Sequence, residues 1–170
     1  MKSKKNLVLI GMMGSGKSTI GKLLAKKLNF KFYDIDQLIE EQMNMKITEI
    51  FKLKGENFFR NLEEKVTLKI MNSNDSVIAL GGGGFINDHI RKEAITRNET
   101  FWLDWNLGTL INRIRRNNKR PVALSLSNNE LKNLVVKRSK YYAKAKNKIN
   151  CEKRSKSEII KKILNLYENN

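Results

Sequence analysis

The sequence is nearly free of the residues that staple, break or ligate a chain: its 170 residues include one cysteine, one proline and one histidine. With Cys151 alone, an intramolecular disulfide is excluded and a reducing, cytoplasmic setting is expected. Cys151 itself reads as a small core residue near a strand end. His89 lies at a helix start with no cysteine, histidine or acid cluster at ligand spacing, so it reads as a solvated or packing residue. Long apolar runs are missing too. Leu7-Val8-Leu9-Ile10 stops at Gly11, too short for a signal peptide or a membrane span, and no membrane partner is expected. Repeats and low-complexity linkers are absent, and the length suits a single domain over residues 1–170 with a full core.

Acids are also scarce, 17 against 34 lysines and arginines, for a net charge of +17. Such an excess raises a nucleic-acid-binding reading. The distribution argues against one binding face. Residues 1–31 hold eight basic residues and no acid, whereas residues 34–104 hold thirteen of the 17 acids. The stretch from Arg113 to Lys148 is basic again. Many lysines fall on the outward faces of expected helices, where solvation explains them. No arginine-rich tail or nucleic-acid-binding motif is present, so no nucleic-acid partner is expected, and the chain is expected to be a monomer.

What the chain does have is Gly11-Met12-Met13-Gly14-Ser15-Gly16-Lys17-Ser18, which fits the phosphate-binding pattern of glycine, four residues, then Gly-Lys-Ser or Gly-Lys-Thr. Its context fits as well. Leu7 to Ile10 reads as a buried parallel strand before it. Ile20, Leu23, Leu24 and Leu28 repeat at helical spacing after it, with Lys22, Lys26 and Lys27 outward. Between strand and helix, bare backbone N–H groups and a helix N-terminus face an anion. Lys17 would reach the β- and γ-phosphates, and the Ser18 hydroxyl would ligate Mg²⁺. ATP and Mg²⁺ are the expected cofactors.

Further along, Phe30 to Asp36 reads as a second strand ending in Asp34 and Asp36, which lean the same way off an extended backbone. N-capping of the helical pattern at Gln37 to Glu41 is the competing use of these acids. Residues 48–71 suggest a short helix, a break at Gly55 and a longer helix, with Phe51, Phe58 and Phe59 as core. Arg60 and Glu63 share a helical face, and on spacing alone they make an exposed ion pair worth roughly a few tenths of a kcal/mol. Val77 to Leu80 is a third strand running into Gly81-Gly82-Gly83-Gly84, a stability loss unless something must touch bare backbone there. Asn87 to Thr96 is helical, Thr100 to Asp104 a fourth strand, and Asn106 to Asn117 helical. Trp102 and Trp105 read as core and strand edge. Residues 117–125, holding Pro121, lack periodicity and read as a mobile loop. Asn129 to Lys146 is a basic helix, Asn147 to Cys151 a fifth strand, and Lys156 to Tyr167 a closing helix. The fold class is α/β, a five-stranded parallel sheet sandwiched by helices.

Taken together, these motifs resemble the shikimate kinases, a family within the nucleoside-monophosphate-kinase-like P-loop group. The resemblance runs from Leu7 to the last helix. It rests on the phosphate loop, Asp34-Ile35-Asp36, Ile50-Phe51 with Gly55-Glu56 and Phe59-Arg60-x-x-Glu63, Leu80-Gly81-Gly82-Gly83, and Arg120-Pro121 with Arg138-x-x-Tyr141-Tyr142. It implies ATP-dependent, Mg²⁺-dependent phosphorylation of shikimate on the way to chorismate and aromatic amino acids. It further implies a sheet core, substrate-binding helices over about 37–72 and a lid over about 113–126. On the nucleotide side it implies Gly14, Ser15, Gly16, Lys17, Ser18 and Thr19 around the phosphates, Arg113 stacked on adenine and Arg154 near Ser155 as the other adenine wall. Arg120 would swing over the transferring group. Asp34 would hold waters on the metal, beside Ser18. On the acceptor side it implies Asp36 at the reacting hydroxyl, Arg60 and Arg138 clamping the carboxylate, Gly82 and Gly83 as backbone contacts, and Glu63 orienting the site. Phe51, Phe59 and Pro121 would form its apolar side. Gly84, Phe85 and Val122 depart from the family's common Ala, Val and Leu, and these are changes of shape. The alternatives are a gluconate kinase of the same superfamily and a nucleic-acid-binding P-loop module.

Overall fold

The computed structural model describes residues 5–116 and 125–169. Its strands are β1 (Leu7–Ile10), β2 (Lys31–Asp34), β3 (Ser76–Ala79), β4 (Glu99–Asp104) and β5 (Asn147–Asn150). All pair in parallel, in the order β2-β3-β1-β4-β5. Among the described residues the helices are α1 (Lys17–Leu28), α2 (Ile35–Met43), α3 (Ile47–Met71), α4 (Asp88–Arg97), α5 (Leu107–Arg115), α6 (Asn128–Tyr142) and α7 (Lys156–Glu168). None is long and apolar enough to cross a membrane.

Strand alternation builds the two cores. Leu7 and Leu9 of β1 face one side, against Leu24 of α1 and Ile160 and Ile163 of α7. Val8 and Ile10 face the other, against Ile39 of α2, Phe59 of α3, Ile90 of α4, Ile114 of α5 and Tyr142 of α6. Both faces of the sheet are covered over its three inner strands, β3, β1 and β4, which is why these read as largely apolar runs, whereas the edge strands β2 and β5 are more polar and more exposed. Cys151, just past β5, is fully buried, and burial pushes its thiol up to about 12.

Three local expectations change. The second strand stops at Asp34, and Asp36 sits in the first turn of α2, not on extended backbone. The reason is capping: the Asp34 carboxylate accepts the Gln37 N–H at 3.4 Å, so the helix starts two residues earlier than its apolar pattern. Phe58 is 39% exposed and is not core. Leu23 is exposed to the same extent, so the apolar stripe of α1 is narrower than its sequence suggests. The break in α3 falls at Gly55 as expected, with φ 83° and open space where a side chain would be.

The strand order decides where ligands can sit. β1 is central, and the chain leaves it first toward β2 and β3 and later toward β4 and β5. Connections therefore diverge at its carboxyl end, where a crevice opens between the loops.

Candidate active site

The phosphate loop leaves β1 at Gly11 and enters α1 at Lys17. Gly16 takes left-handed backbone (φ 94°, ψ 14°) as the N-cap, and Gly14 likewise has φ 78°. Lys17 is buried, and its ammonium donates to the Gly11 carbonyl at 2.7 Å and the Met12 carbonyl at 3.0 Å. Next to it the Ser18 hydroxyl donates to Asp34 Oδ2 at 2.5 Å. That pair of hard oxygen donors, one in the first turn of α1 and one at the end of β2, suits Mg²⁺, which takes one or two protein oxygens and completes its shell with phosphate and water. Asp34 thus both caps α2 and faces Ser18.

On the β2–β3 side of the loop, four side chains converge on the glycine run after β3. A side-chain carbon on Gly81 would lie 2.6 Å from Asp36 Oδ1 and 2.6 Å from Glu63 Oε1. On Gly82 it would lie 3.1 Å from Arg138 Nη1 and 3.5 Å from the Met13 nitrogen, and on Gly83 2.6 Å from Arg60 Nη1. The glycines therefore make room for the protein's own acids and arginines, and the functional groups of α2, α3 and α6 meet over bare backbone. Arg138 Nη1 also reaches Met12 Sδ at 3.7 Å, so this pocket opens directly onto the phosphate loop.

The electrostatics of the pocket are those of a held guanidinium. Arg60 Nη1 donates to Glu63 Oε2 at 2.7 Å, with Glu56 at 3.3 Å on the outer side. Glu63 is 2% exposed, so the pair is not the solvated ion pair that spacing suggests. Burial raises the Glu63 pKa, Arg60 opposes the rise, Asp36 adds to it and Arg138 opposes it. Burial works against the Arg60 charge as well, but Glu63 and Glu56 outweigh it and its pKa ends above the ordinary value. The guanidinium also lies 5.2 Å from the ring centre of Phe59 and 5.9 Å from that of Phe51, and the two ring centres are 4.7 Å apart. Among the described residues, none gives the buried Nε of Arg138 a hydrogen-bond partner. A buried guanidinium N–H left over beside a second arginine fits an anionic guest.

On the β4–β5 side, Arg113 of α5 lies with its guanidinium carbon 4.2 Å from the ring centre of Trp105, and its Nη2 is 3.7 Å from the side-chain position of Gly16. The Trp105 indole N–H donates to the Ser15 carbonyl at 2.9 Å. Arg154 stands in the loop between β5 and α7, and its charge and that of Arg113 both lower the pKa of the nearby Cys151 against the effect of burial. Glu152 in the same loop accepts from the Asn106 N–H at 3.3 Å and the Thr109 hydroxyl at 3.0 Å, which ties this loop to the start of α5.

Of the residues expected from sequence, Ser15, Gly16, Lys17, Ser18, Asp34, Asp36, Arg60, Glu63, Gly82, Gly83, Arg113 and Arg138 all stand along the carboxyl edge of the sheet. Thr19 is exposed in the first turn of α1. Arg120, Pro121 and Val122 lie outside the described residues, as does most of the expected lid. Two residues enter the site without a role expected from sequence. Tyr142 donates its hydroxyl to the Gly82 carbonyl, and burial pushes its pKa up to about 12, so it stays a donor. Its signal was its place four residues after Arg138, on the same helical face. Trp105 was read as a strand-edge residue. Its position directly after β4, at the ligand end of the sheet, was the available clue.

Comparison with known proteins points to one family. A family model described as shikimate kinase matches residues 13–168. A shikimate kinase from Sulfurihydrogenibium sp. (strain YO3AOP1) is 42% identical over 160 residues, covering 94% of this chain and 96% of that protein. Shikimate kinase from Acinetobacter baumannii, solved in complex with shikimate, superposes with a TM-score of 0.90 at 29% identity, covering 98% of this chain and 94% of the other. The enzyme from Aquifex aeolicus superposes at 0.85 with 35% identity and 96% coverage of each chain.

Proposed function

The chain belongs to the shikimate kinase family, and on that premise we propose how its residues move the γ-phosphoryl group of ATP to the 3-hydroxyl of shikimate. The products are shikimate 3-phosphate and ADP, on the route to chorismate and aromatic amino acids. The observation that carries the reading is the convergence of Arg60, Arg138, Asp36 and Glu63 on Gly81 to Gly83, joined to the phosphate loop through Met12 and Met13.

The amides of Gly14 to Thr19 take the ATP phosphates, and Lys17 exchanges its loop carbonyls for phosphate oxygens. Arg113 and Arg154 flank the base. Arg60 and Arg138 hold the shikimate carboxylate, because planar guanidinium groups fix a carboxylate more sharply than lysine ammonium does. Glu63 holds the Arg60 plane, and Phe51 and Phe59 shape the apolar wall. Gly82 and Gly83 offer backbone to the ring hydroxyls.

In the transfer, the acceptor oxygen forms a bond to the γ-phosphorus while the bond from that phosphorus to the β–γ bridging oxygen breaks. Asp36 orients the hydroxyl and receives its proton; ADP leaves with the bridging oxygen. Such a reaction asks the protein for alignment and charge neutralisation. Lys17 and Arg120 supply positive charge to the transferring group. Ser18 and Asp34 would hold Mg²⁺, Asp34 through water, and the ion would neutralise phosphate charge. Water has to be kept from ATP during the transfer, a task the resemblance assigns to the stretch 113–126, most of which lies outside the described residues. The enzyme works as a cytoplasmic monomer of one domain, with no nucleic-acid or membrane partner.

The test is coupled ADP release with shikimate, gluconate, nucleoside monophosphates or no acceptor. Release that depends on shikimate alone is the expected result. Equal release with gluconate would move the protein to another substrate. Salt-dependent retention of nucleic acid with no acceptor-dependent ADP would replace the kinase reading by a binding one.

A further inference from the structure

We propose that Trp105 is a positioning residue for the nucleotide, acting on the phosphate loop and on Arg113 at once. The inference rests on the kinase reading above. Trp105 packs against both hydrophobic cores, so its indole is fixed from two sides. From that seat it makes two directed contacts.

The first is its N–H bond to the Ser15 carbonyl at 2.9 Å. The Ser15 carbonyl and the Gly16 N–H belong to one planar trans peptide and point in opposite directions. Holding the carbonyl toward Trp105 therefore turns the Gly16 N–H away from it, toward the hollow of the loop. Gly16 has left-handed backbone and little conformational resistance of its own, so an outside anchor sets this peptide. The second contact is the ring face under Arg113, 4.2 Å from its guanidinium carbon. That stack holds the guanidinium beside Gly16, and the Arg113 stem packs near Gly14. One side chain thus aligns an amide for the phosphates and a flat cation for the base. A ligand that uses both, a nucleoside di- or triphosphate, feels Trp105 twice; bare pyrophosphate feels it once.

The experiment compares the wild type with Trp105→Phe and Trp105→Leu. Phe keeps a ring under Arg113 and loses the donor, while Leu loses both. The readouts are the KM for ATP, the KM for shikimate, and calorimetric Kd values for ADP and pyrophosphate. Expected is an ATP KM raised about 5-fold in Trp105→Phe and about 20-fold or more in Trp105→Leu, the scale of one lost hydrogen bond and one lost stack. The shikimate KM stays within about twofold, and Leu weakens ADP more than pyrophosphate. An ATP KM within twofold of wild type in both variants overturns the proposal, as does an equal rise in both KM values. Should Trp105→Leu not fold, the Phe variant decides by its KM split and its pyrophosphate affinity. A wild type without shikimate-dependent ADP release would instead defeat the kinase reading, a separate outcome.

Discussion

Asp36 and Glu63 come from different helices, yet each brings a carboxylate oxygen to 2.6 Å from where a side chain on Gly81 would begin. The two oxygens are thus no farther apart than twice that distance. Two acids so close repel, and the pocket tolerates them because Arg60 and Arg138 stand beside them.

This predicts a clean effect for Gly81→Ala. The methyl would push the ends of two flexible side chains, which costs little stability but moves the group at the reacting hydroxyl and the group that holds Arg60. The kcat/KM for shikimate is expected to fall about 10- to 100-fold, since a misplacement near 1 Å costs on that order. The KM for ATP should hold, because Lys17 and its loop are untouched. Unchanged shikimate kinetics would remove both acids from the site.

Arg60→Ala should raise the shikimate KM about 10- to 100-fold, the scale of a lost charge-assisted hydrogen bond, with ATP binding little changed. It also leaves Glu63 buried without its arginine, so Tm should fall. Arg60→Lys separates these effects. It restores a charge for Glu63 and much of the stability, but not the planar fork, and its shikimate KM should stay high. A normal shikimate KM in both variants would take Arg60 out of the pocket.

How much of this could be read from the chain depends on how local each signal is. The strand, loop and helix around Lys17 are consecutive, so pattern and context coincide. Gly55 and the glycines after β3 were legible as breaks, since no packing reason exists for them in helix or strand. Their occupants were not, because Asp36, Glu63 and Arg138 arrive from three separate helices. Asp36 was placed on a strand since alternation and capping compete over the same three residues, and the Asp34 cap wins. Trp105 was missed because its partner, the Ser15 carbonyl, is 90 residues away. Only the strand order, with β4 beside β1, brings them together.

Lys17→Met should abolish turnover, by about 1000-fold or more, with the fold intact. In the described structure the ammonium bonds two loop carbonyls, at 2.7 and 3.0 Å, and methionine offers them no donor. The stability loss should be about 1–2 kcal/mol. Circular dichroism and a melting curve check the fold, and the ADP assay checks the chemistry. Retained turnover would contradict the role of the loop.

The raised pKa of Glu63 gives opposite pH trends in stability and activity. Burial is the main cause, Arg60 opposes it, Asp36 reinforces it and Arg138 opposes it, with Glu56 on the outer side of Arg60. An acid with a raised folded pKa keeps its proton over an interval where the unfolded chain has already lost it. Unfolding free energy therefore falls as pH rises through that interval, from the ordinary 4.5 upward. Glu63→Gln cannot ionise, so its stability relative to wild type should climb with pH across the same interval. Activity runs the other way. The ionised carboxylate holds Arg60, so wild-type kcat/KM for shikimate should drop on acidification with an apparent pKa above 4.5. In Glu63→Gln that acid limb should vanish or move down, while the plateau falls because the guanidinium has lost its charged partner. Melting curves and shikimate kinetics from about pH 5 to 8 measure both trends. An acid limb at the same position in Glu63→Gln would assign it to another group and leave Glu63 as packing alone.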